Sequence, residues 1–284
     1  MVVINTIKEI VEIVNTKRAQ NQTIGLVPTM GALHEGHISL VVRCIKENDI
    51  TLVSIFVNPT QFNDINDLNN YPRTLEADTQ LLEKKGVDYV FAPSVNEIYP
   101  EPDTRVFSYP PIDTVMEGAK RPGHFNGVCQ IVSKLFYITQ PHRAYFGEKD
   151  FQQIAVVTAM TEDLKIPVEL RSCPIVREES GLALSSRNTL LSAQEKSIAP
   201  TIYKVLQKSL HMAGTTSVKD TIDFVVTSIN KIDGLDVEYF QIVDGKSLQP
   251  INDWSESNYI VGCITVYCGS RPVRLIDNIT YKKD

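Results

Sequence analysis

The chain has 284 residues, of which 43% are apolar and 22% charged, so it can hold one large domain or two ordinary ones with a substantial core. Its formal net charge of −6 disfavours non-specific binding to nucleic acid, which depends on a basic surface, but leaves room for a local basic pocket that binds a small anion. Five scattered cysteines without a CxxC pair, and no run near ~20 apolar residues, argue against a disulfide framework, a zinc ribbon and a membrane span, and predict a cytoplasmic protein.

Predicted helices and strands alternate along the first 176 residues. Apolar residues at helical spacing predict a helix over residues 5–19, which we expect to cap an edge of the sheet. The following elements are strands over Ile24–Val27, Thr51–Val57, Val87–Phe91, Ala144–Phe146 and Val168–Cys173, and helices over His37–Glu47, Leu75–Lys85, Gly127–Tyr137 and Phe151–Leu164. Repeated strand–helix units predict a doubly wound parallel sheet, a Rossmann-like α/β domain whose ligands bind beyond the carboxyl ends of the strands.

The pattern changes after residue 176. Ser192 and Glu195 form a possible capping box before a helix that reaches about His211, and a second helix follows over Val218–Ile232. Three strands are predicted after them, over Val237–Val243, Tyr259–Tyr267 and Val273–Ile276. Helices followed by consecutive strands predict a smaller α+β domain with an antiparallel sheet over residues 177–284.

The stretch GLVPTMGALHEGHISLV, residues 25–41, predicts an anion site. A strand that ends at Val27, a glycine at Gly31 and a helix that begins near His37 would direct unpaired backbone N–H groups and the positive end of the helix dipole at one place. His34 and His37 are three residues apart, so both rings could donate hydrogen bonds to one phosphate. The alternatives are two histidines on a surface turn, or zinc ligands, although no HExxH spacing or nearby acidic or cysteine ligand set supports zinc.

Two further polar clusters follow predicted elements. Asn58 and Gln61 in VNPTQF lie just past a buried strand, where amides could hold the hydroxyl or carboxylate of a small substrate. Turn chemistry around Pro59 accounts for Asn58 equally well. Arg121 and His124 in RPGHFNG lie in a loop before a helix.

Two basic segments could meet phosphates. Lys149 in FGEKDFQQ could contact phosphate oxygens, while Asp150 could hold Mg²⁺ or, as the stronger alternative, cap the next helix. Arg187 in LALSSRN, residues 182–188, could belong to a mobile loop that closes over a triphosphate, or the segment could be a solvated linker.

Taken together, HEGH after the first strand and SSRN after the last resemble the HxGH and KMSKS-type signatures of the nucleotidyltransferase superfamily. Within it, the ordered motifs PTMGALHEGH, SIFVNPTQF, YPRT, RPGHF, FGEKDFQQ and LALSSRN, between residues 24 and 190, are similar to the pantoate–beta-alanine ligase family. The length of the chain also agrees with that family.

The resemblance implies a set of site residues. His37, His34, Lys149 and Arg187 would be catalytic, with His37 at the position that the family assigns to the proton donor. ATP would contact Met30, Gly31, Ala32, Leu33, His34, Glu35, Gly36, His37, Gly147, Glu148, Lys149, Asp150, Val176, Leu184, Ser185, Ser186 and Arg187. Pantoate would contact Gln61, Gln153, Asn58, Tyr71, Arg121 and His124, beta-alanine would contact Gln61, and Asp150 and Asp78 are the candidates for Mg²⁺. The family often has methionine where this chain has Leu184, a swap that conserves volume.

The resemblance also implies the reaction. The expected products are (R)-pantothenate, AMP and diphosphate, formed from (R)-pantoate, beta-alanine and ATP through a pantoyl adenylate, with Mg²⁺ present and the enzyme a homodimer. Three competing functions are a cytidylyl- or adenylyltransferase, which should not need the VNPTQF and FQQ amides, an aminoacyl-tRNA synthetase, for which the acidic chain has little room, and a non-catalytic nucleotide-binding regulator.

Overall fold

The computed structural model describes residues 1–283, which group by their contacts into two compact units. The first unit holds residues 1–109, 121–148 and 153–174, and the second holds 110–120, 149–152 and the chain from 175 onward. The sequence predicts a boundary after residue 176 and assigns 110–120 and 149–152 to the first domain, whereas their contacts place these two short segments in the second unit. That residues 1–176 are the catalytic domain that binds ATP and pantoate, and residues 177–284 a lid domain, stays a prediction.

The first unit is built on a six-stranded parallel sheet. Its strands are β1 (Val2–Ile4), β2 (Ile24–Thr29), β3 (Ile50–Ile55), β4 (Tyr89–Phe91), β5 (Arg143–Gly147) and β6 (Glu169–Cys173). They lie in the order β1-β4-β3-β2-β5-β6, and all pairs are parallel. The predicted doubly wound sheet is therefore confirmed. The strand order reverses between β2 and β5, and ligands of such sheets bind outside the carboxyl ends of the strands at that point.

Helices flank this sheet. They are α1 (Ile7–Ala19), α2 (Glu35–Glu47), α3 (Ile65–Asn70), α4 (Leu75–Lys85), α5 (Val95–Ile98), α7 (His124–Thr139) and α8 (Phe151–Asp163), whose first two residues group with the second unit. Helix α2 packs against β2, β3 and β5, and α1 packs against α7 and β2. The expectation that the first helix caps a sheet edge is therefore wrong, because β1 forms that edge beside β4.

The second unit is an α+β arrangement. It contains α6 (Met116–Lys120), α9 (Ala193–Ile198), α10 (Thr201–Leu210), α11 (Val218–Asn230) and the strands β7 (Leu235–Asp244), β8 (Tyr259–Cys268) and β9 (Val273–Lys283). The three strands form one antiparallel sheet in chain order, as predicted, and share an apolar core with α10 and α11. The capping box of Ser192 and Glu195 is confirmed, but the helix behind it breaks at Pro200 into α9 and α10.

No helix within residues 1–283 is long and apolar enough to cross a membrane.

Candidate functional site

The loop after β2 is held by a buried carboxylate from α4. Asp78 is only 3% exposed, and its two oxygens accept the backbone N–H groups of Ala32, at 2.9 Å, and Leu33, at 2.8 Å. The hydroxyl of Thr74 donates to the same carboxylate at 3.2 Å. Gly31 turns the chain here with a φ of +82°, in the left-handed region that glycine adopts without strain. Asp78 therefore fixes the loop through the N–H groups of Ala32 and Leu33.

His34 and His37 cap helix α2, which begins at Glu35 rather than at His37. The N–H of Gly36 donates to Nδ1 of His34 at 3.2 Å, and the N–H of His34 donates to Nδ1 of His37 at 3.3 Å. A ring nitrogen that accepts a hydrogen bond carries no proton, so each neutral ring keeps its proton on Nε2. The two ring centroids are 4.1 Å apart. The cap thus fixes the same tautomer on both neutral rings, with Nε2–H as the donor of each.

Asn58 lies at the carboxyl end of the next strand and is 1% exposed. Its Nδ2 donates to the carbonyl of Gly127 and to Oε1 of Gln61, both at 3.0 Å. Its Oδ1 accepts the hydroxyl groups of Tyr99, at 2.8 Å, and Thr60, at 3.2 Å. Burial raises the pKa of Tyr99, which keeps its hydroxyl proton available. These four contacts use the two donors and two lone pairs of the amide in this structure, and the contact of Asn58 with pantoate stays a prediction.

The amide of Gln61 has a defined orientation because of Asn58. The carbonyl of Gly127 can only accept, so the group of Asn58 that faces it is the NH₂ group, which also faces Gln61. Gln61 therefore turns Oε1 towards Asn58, and its Nε2 lies 3.3 Å from Sδ of Met30. A second proton on this Nε2 remains for an acceptor. Gln61 is thus arranged as a hydrogen-bond donor.

Arg121 and His124 support the same turn. Nδ1 of His124 lies 2.9 Å from the carbonyl of Gln61, and Arg121 lies 3.2 Å from the other ring nitrogen. The carbonyl accepts, so the ring proton of a neutral His124 is on Nδ1 and its Nε2 accepts from the guanidinium. His124 is buried, so this pair holds the backbone of Gln61 in place.

Tyr71 and Gln153 are two further predicted residues of the first unit. Tyr71 is buried and packs edge-on against Phe62, with ring centroids 5.7 Å apart. A cavity of about 290 Å³ opens beside the β2 loop and is lined in part by Met30, Gly31 and Asp78. Gln153 is half-buried on α8.

In the second unit, three predicted residues line one small cavity. Lys149, Ser185 and Arg187 share a cavity of about 20 Å³, large enough for one water molecule. Asn188 contributes a buried Oδ1 that has no hydrogen-bond partner within residues 1–283. Ser185 accepts the N–H of Arg187 at 3.3 Å and starts the 3-10 turn Ser186–Leu190. The cavity is therefore lined by cations and polar atoms together with apolar side chains.

The other predicted residues of this segment have structural contacts. The carbonyl of Val176 accepts the N–H of Leu184 at 3.0 Å, which brings both ends of the 177–183 hairpin together. Asp150 is half-buried, and its carboxylate lies 3.8 Å from Nζ of Lys149. No group of three histidine, cysteine, aspartate or glutamate side chains within residues 1–283 could hold a metal ion.

Sequence reasoning missed several charged residues that are buried or half-buried. Arg177 and Asp277 form a two-pronged ion pair in the second unit, with distances of 2.6 and 2.9 Å. Glu117 binds Arg274 there through two hydrogen bonds of 2.6 Å. The two residues of each pair are 100 and 157 positions apart in the chain, so no local sequence pattern predicts these ion pairs.

The first unit has a parallel sheet with a histidine-capped helix after its first inner strand, which agrees with the resemblance to the HxGH nucleotidyltransferases. The comparisons specify the family. The profile described as Pantoate-beta-alanine ligase matches residues 2–280. Pantothenate synthetases of Bacteroides fragilis and Phocaeicola vulgatus are 60% and 61% identical over 283 residues, covering 100% and 99% of this chain and 100% of each relative.

Solved structures agree with the sequence comparisons. Pantothenate synthetase from Thermus thermophilus has a TM-score of 0.91 and 42% identity, over 99% of this chain and 100% of its own. A pantoate-beta-alanine ligase from Francisella tularensis, complexed with beta-gamma ATP and beta-alanine, has a TM-score of 0.82 and 38% identity, over 99% and 98%. The chain belongs to the pantoate–beta-alanine ligase family. It is a ligase of pantothenate biosynthesis that joins pantoate and beta-alanine, and ATP is a substrate of the family.

Proposed function

We propose that the chain makes (R)-pantothenate in two steps. A carboxylate oxygen of (R)-pantoate attacks the α-phosphorus of ATP, and the bond to diphosphate breaks. The neutral amine of beta-alanine then attacks the acyl carbon, the C–O bond to AMP breaks, and the nitrogen loses a proton. In-line displacement needs little covalent help from the protein, so positioning and charge stabilisation dominate.

The observation that carries this proposal is the shared cap of His34 and His37. Because backbone N–H groups occupy both Nδ1 atoms, each neutral ring carries its proton on Nε2 as a donor. Such donors stabilise negative charge that develops on phosphate oxygens as diphosphate leaves. His37 is the proposed proton donor, and the residues from Met30 to Gly36 are proposed to line the nucleotide.

Gln61 and Gln153 are proposed to hold pantoate. Gln61 offers an N–H group, which suits the carboxylate or a hydroxyl oxygen of the substrate. We propose the same residue as a contact for beta-alanine, with Tyr71 nearby. Asn58, Arg121 and His124 are proposed to hold Gln61 in place and to lie beside pantoate.

Lys149 and Arg187 are proposed to neutralise charge on the phosphates. Both are cations beside the polar cavity of the second unit, and a planar guanidinium suits phosphate oxygens. Gly147, Glu148 and Asp150 are proposed to contact the ribose and phosphates, Val176 the adenine, and Leu184, Ser185 and Ser186 to complete the loop.

Mg²⁺ is proposed to enter with ATP rather than to occupy a resident site. The carboxylate of Asp78 is committed to the N–H groups of Ala32 and Leu33, which leaves Asp150 as the candidate contact. A single carboxylate together with substrate phosphates is a common Mg²⁺ environment. The ion would supply charge neutralisation on the phosphates.

A homodimer in the cytoplasm is also proposed. The family resemblance supports the dimer, which light scattering of the purified protein would test directly. The five cysteines are all buried and form no disulfide within residues 1–283, which supports a reducing compartment. Burial raises the pKa of Cys263 to about 12, so that thiol stays protonated and unreactive.

Pantoate-dependent exchange of labelled diphosphate into ATP, without beta-alanine, tests the first step. We expect wild-type exchange, and a loss of roughly 100- to 1,000-fold in His37→Ala and Lys149→Ala, since each removes one charge-stabilising group. His211→Ala and Lys204→Ala, at exposed positions of the second unit, are matched controls that should exchange normally. No exchange by the folded wild-type protein with Mg²⁺ present would refute the adenylate mechanism.

Product analysis separates the alternative reactions. With all three substrates the ligase gives AMP and diphosphate, whereas a nucleotidyl transfer gives diphosphate without AMP and a regulator gives neither. Unchanged exchange in His37→Ala or Lys149→Ala would remove the proposed role of that residue.

A further inference from the structure

Two adjacent buried residues on β9 contact two basic residues of the second unit, Arg177 and Lys149. Asp277 is 6% exposed and Asn278 7%. The carboxylate of Asp277 binds Arg177, while Nδ2 of Asn278 donates to the backbone carbonyl of Lys149 at 3.2 Å. A single point of the strand therefore supports Arg177 and Lys149 together.

Arg177 is fixed on three sides. Its two terminal nitrogens donate to the two oxygens of Asp277 at 2.6 and 2.9 Å, and one of them also donates to the carbonyl of Gly181 at 3.2 Å. Its guanidinium carbon lies 3.5 Å from the centroid of the Tyr203 ring, in a cation–π contact. A two-pronged, stacked guanidinium has little freedom, and lysine cannot reproduce this geometry.

The hairpin that begins at Arg177 leads directly into the SSRN loop. Arg177 pairs with Ala183 as a β-bridge, and Nδ2 of Asn188 donates to the carbonyl of Ala183 and to a carboxylate oxygen of Glu178, both at 3.1 Å. The chain between these ties is residues 185–187. Its position is therefore set by the hairpin, and the hairpin is held on β9 through Arg177.

We propose that Asp277 is a positioning residue for the adenylation step, which fixes the Ser185–Arg187 loop through Arg177 while its neighbour Asn278 fixes Lys149. This inference rests on the proposed phosphate contacts of Lys149 and Arg187. Strand β9 supports both segments and so keeps Lys149 and Arg187 at a constant separation. Small displacements of positioning groups reduce rates strongly, so this support affects the rate although the strand touches no substrate.

Asp277→Asn is the first test, because it keeps the shape of the side chain and removes its charge. We expect the KM for ATP to rise about tenfold, and diphosphate exchange to fall, while the KM for pantoate stays within about twofold of wild type. Asp244→Asn is the matched control in the same unit, since Asp244 accepts hydrogen bonds from Ser247 and Ser257 in a turn. It should leave both KM values unchanged even where it lowers thermal stability.

Asn278→Ala covers the case in which Asp277→Asn does not fold, because it leaves no charge unpaired. We expect it to raise the KM for ATP in the same way through Lys149. The double variant that combines Asp277→Asn with Arg177→Gln should have a KM for ATP no higher than that of Asp277→Asn alone, as expected for two residues that act as one unit.

The outcomes separate this proposal from the function on which it rests. Wild-type KM values for ATP in Asp277→Asn and Asn278→Ala, together with lost exchange in Lys149→Ala and Arg187→Ala, would overturn the positioning role alone. Normal exchange in Lys149→Ala and Arg187→Ala would remove the proposed phosphate contacts and the positioning role with them.

Discussion

At the scale of single residues, His34 has two separable jobs. Its Nδ1 caps helix α2, and its Nε2–H is a donor that we assign to the phosphates. Asparagine is among the preferred N-cap residues, and its short side chain can accept the same backbone N–H. It cannot extend a donor to where Nε2 of the histidine lies.

His34→Asn should therefore fold normally and fail in adenylation. We expect its stability to change by less than about 1 kcal/mol, because the cap is kept. The lost donor should lower diphosphate exchange by about 100-fold or more. Thermal unfolding and exchange measured on the same preparation check both expectations. Near-normal exchange would mean that capping is the whole contribution of His34.

His34→Gln provides the reverse control. Glutamine can carry an amide donor near the position of Nε2 but is a poor N-cap. It should lose stability while keeping more exchange activity than His34→Asn.

At the scale of elements, helix α7 depends on Gly127 for its fit against the 3-10 turn Pro59–Gln61. A Cβ on Gly127 would overlap the carbonyl oxygen of Thr60 and lie 2.7 Å from Cα of Gln61. These are backbone atoms, so the turn would have to move. The absent side chain also lets the Gly127 carbonyl reach Asn58 and set the orientation of Gln61.

Gly127→Ala should raise the KM for pantoate and leave the KM for ATP nearly unchanged. Alanine favours a helix by about 1 kcal/mol over glycine, but overpacking costs about 1–3 kcal/mol, so we expect a net loss of stability. Gly25→Ala is the control, since its Cβ would overlap the Cys44 side chain in the core of the same unit. It should destabilise the fold without changing the KM for pantoate. Equal effects of both variants on that KM would contradict the proposed function of the turn.

Local signals explain which elements the sequence predicts well. Helix α4 is predicted to the residue, because Gly86 ends it with a φ of +85°. Strand β1 is missed, since its three residues are too few to show a period and its pairing with β4 involves a distant segment. The break between α9 and α10 is missed although Pro200 marks it, because the apolar pattern continues through the proline.

In the candidate site, too, the sequence predicts the features that depend on neighbouring residues and misses those that depend on distant ones. The histidine cap is contained within a few residues, so the sequence indicates that His34 and His37 act together. Asp78 is a different case: it reaches Leu33 from 45 residues away, and the family resemblance implies it only as a candidate contact for Mg²⁺. Only the folded chain reveals that this carboxylate is already occupied by backbone N–H groups.

At the scale of the whole molecule, each unit contains a carboxylate whose pKa is lowered by contacts that form on folding. In the first unit, hydrogen bonds from Arg105 lower the pKa of Asp103 to about 2. In the second, burial alone would raise the pKa of Glu117, but Arg274 outweighs it and lowers that pKa to about 2. Tyr239 and Thr265 also donate to Glu117, at 2.7 and 3.0 Å. These contacts fasten the segment 110–120 to all three strands of the antiparallel sheet.

Glu117 should make the second unit sensitive to acid. Its ordinary pKa is 4.5 and its folded value is about 2, so the unfolded chain binds the proton more readily. The stabilisation, about 3 kcal/mol, is fully present above pH 4.5 and is lost as the pH falls towards 2. Glu117→Gln should therefore lower stability at pH 7 and lose less of it between pH 5 and 2.

The single tryptophan offers a local probe of this effect. Trp254 belongs to the second unit, where its ring nitrogen donates to the carbonyl of Thr216 at 2.7 Å, so its fluorescence during urea unfolding reports that unit. Asp223→Asn is the control, because the Lys219–Asp223 pair is exposed and should contribute almost nothing. If the free energies of unfolding of wild type and Glu117→Gln change with pH in the same way from pH 7 to 2, the assignment is contradicted. A residue that stabilises the unit through its charge must make the free energy of unfolding fall as it is protonated.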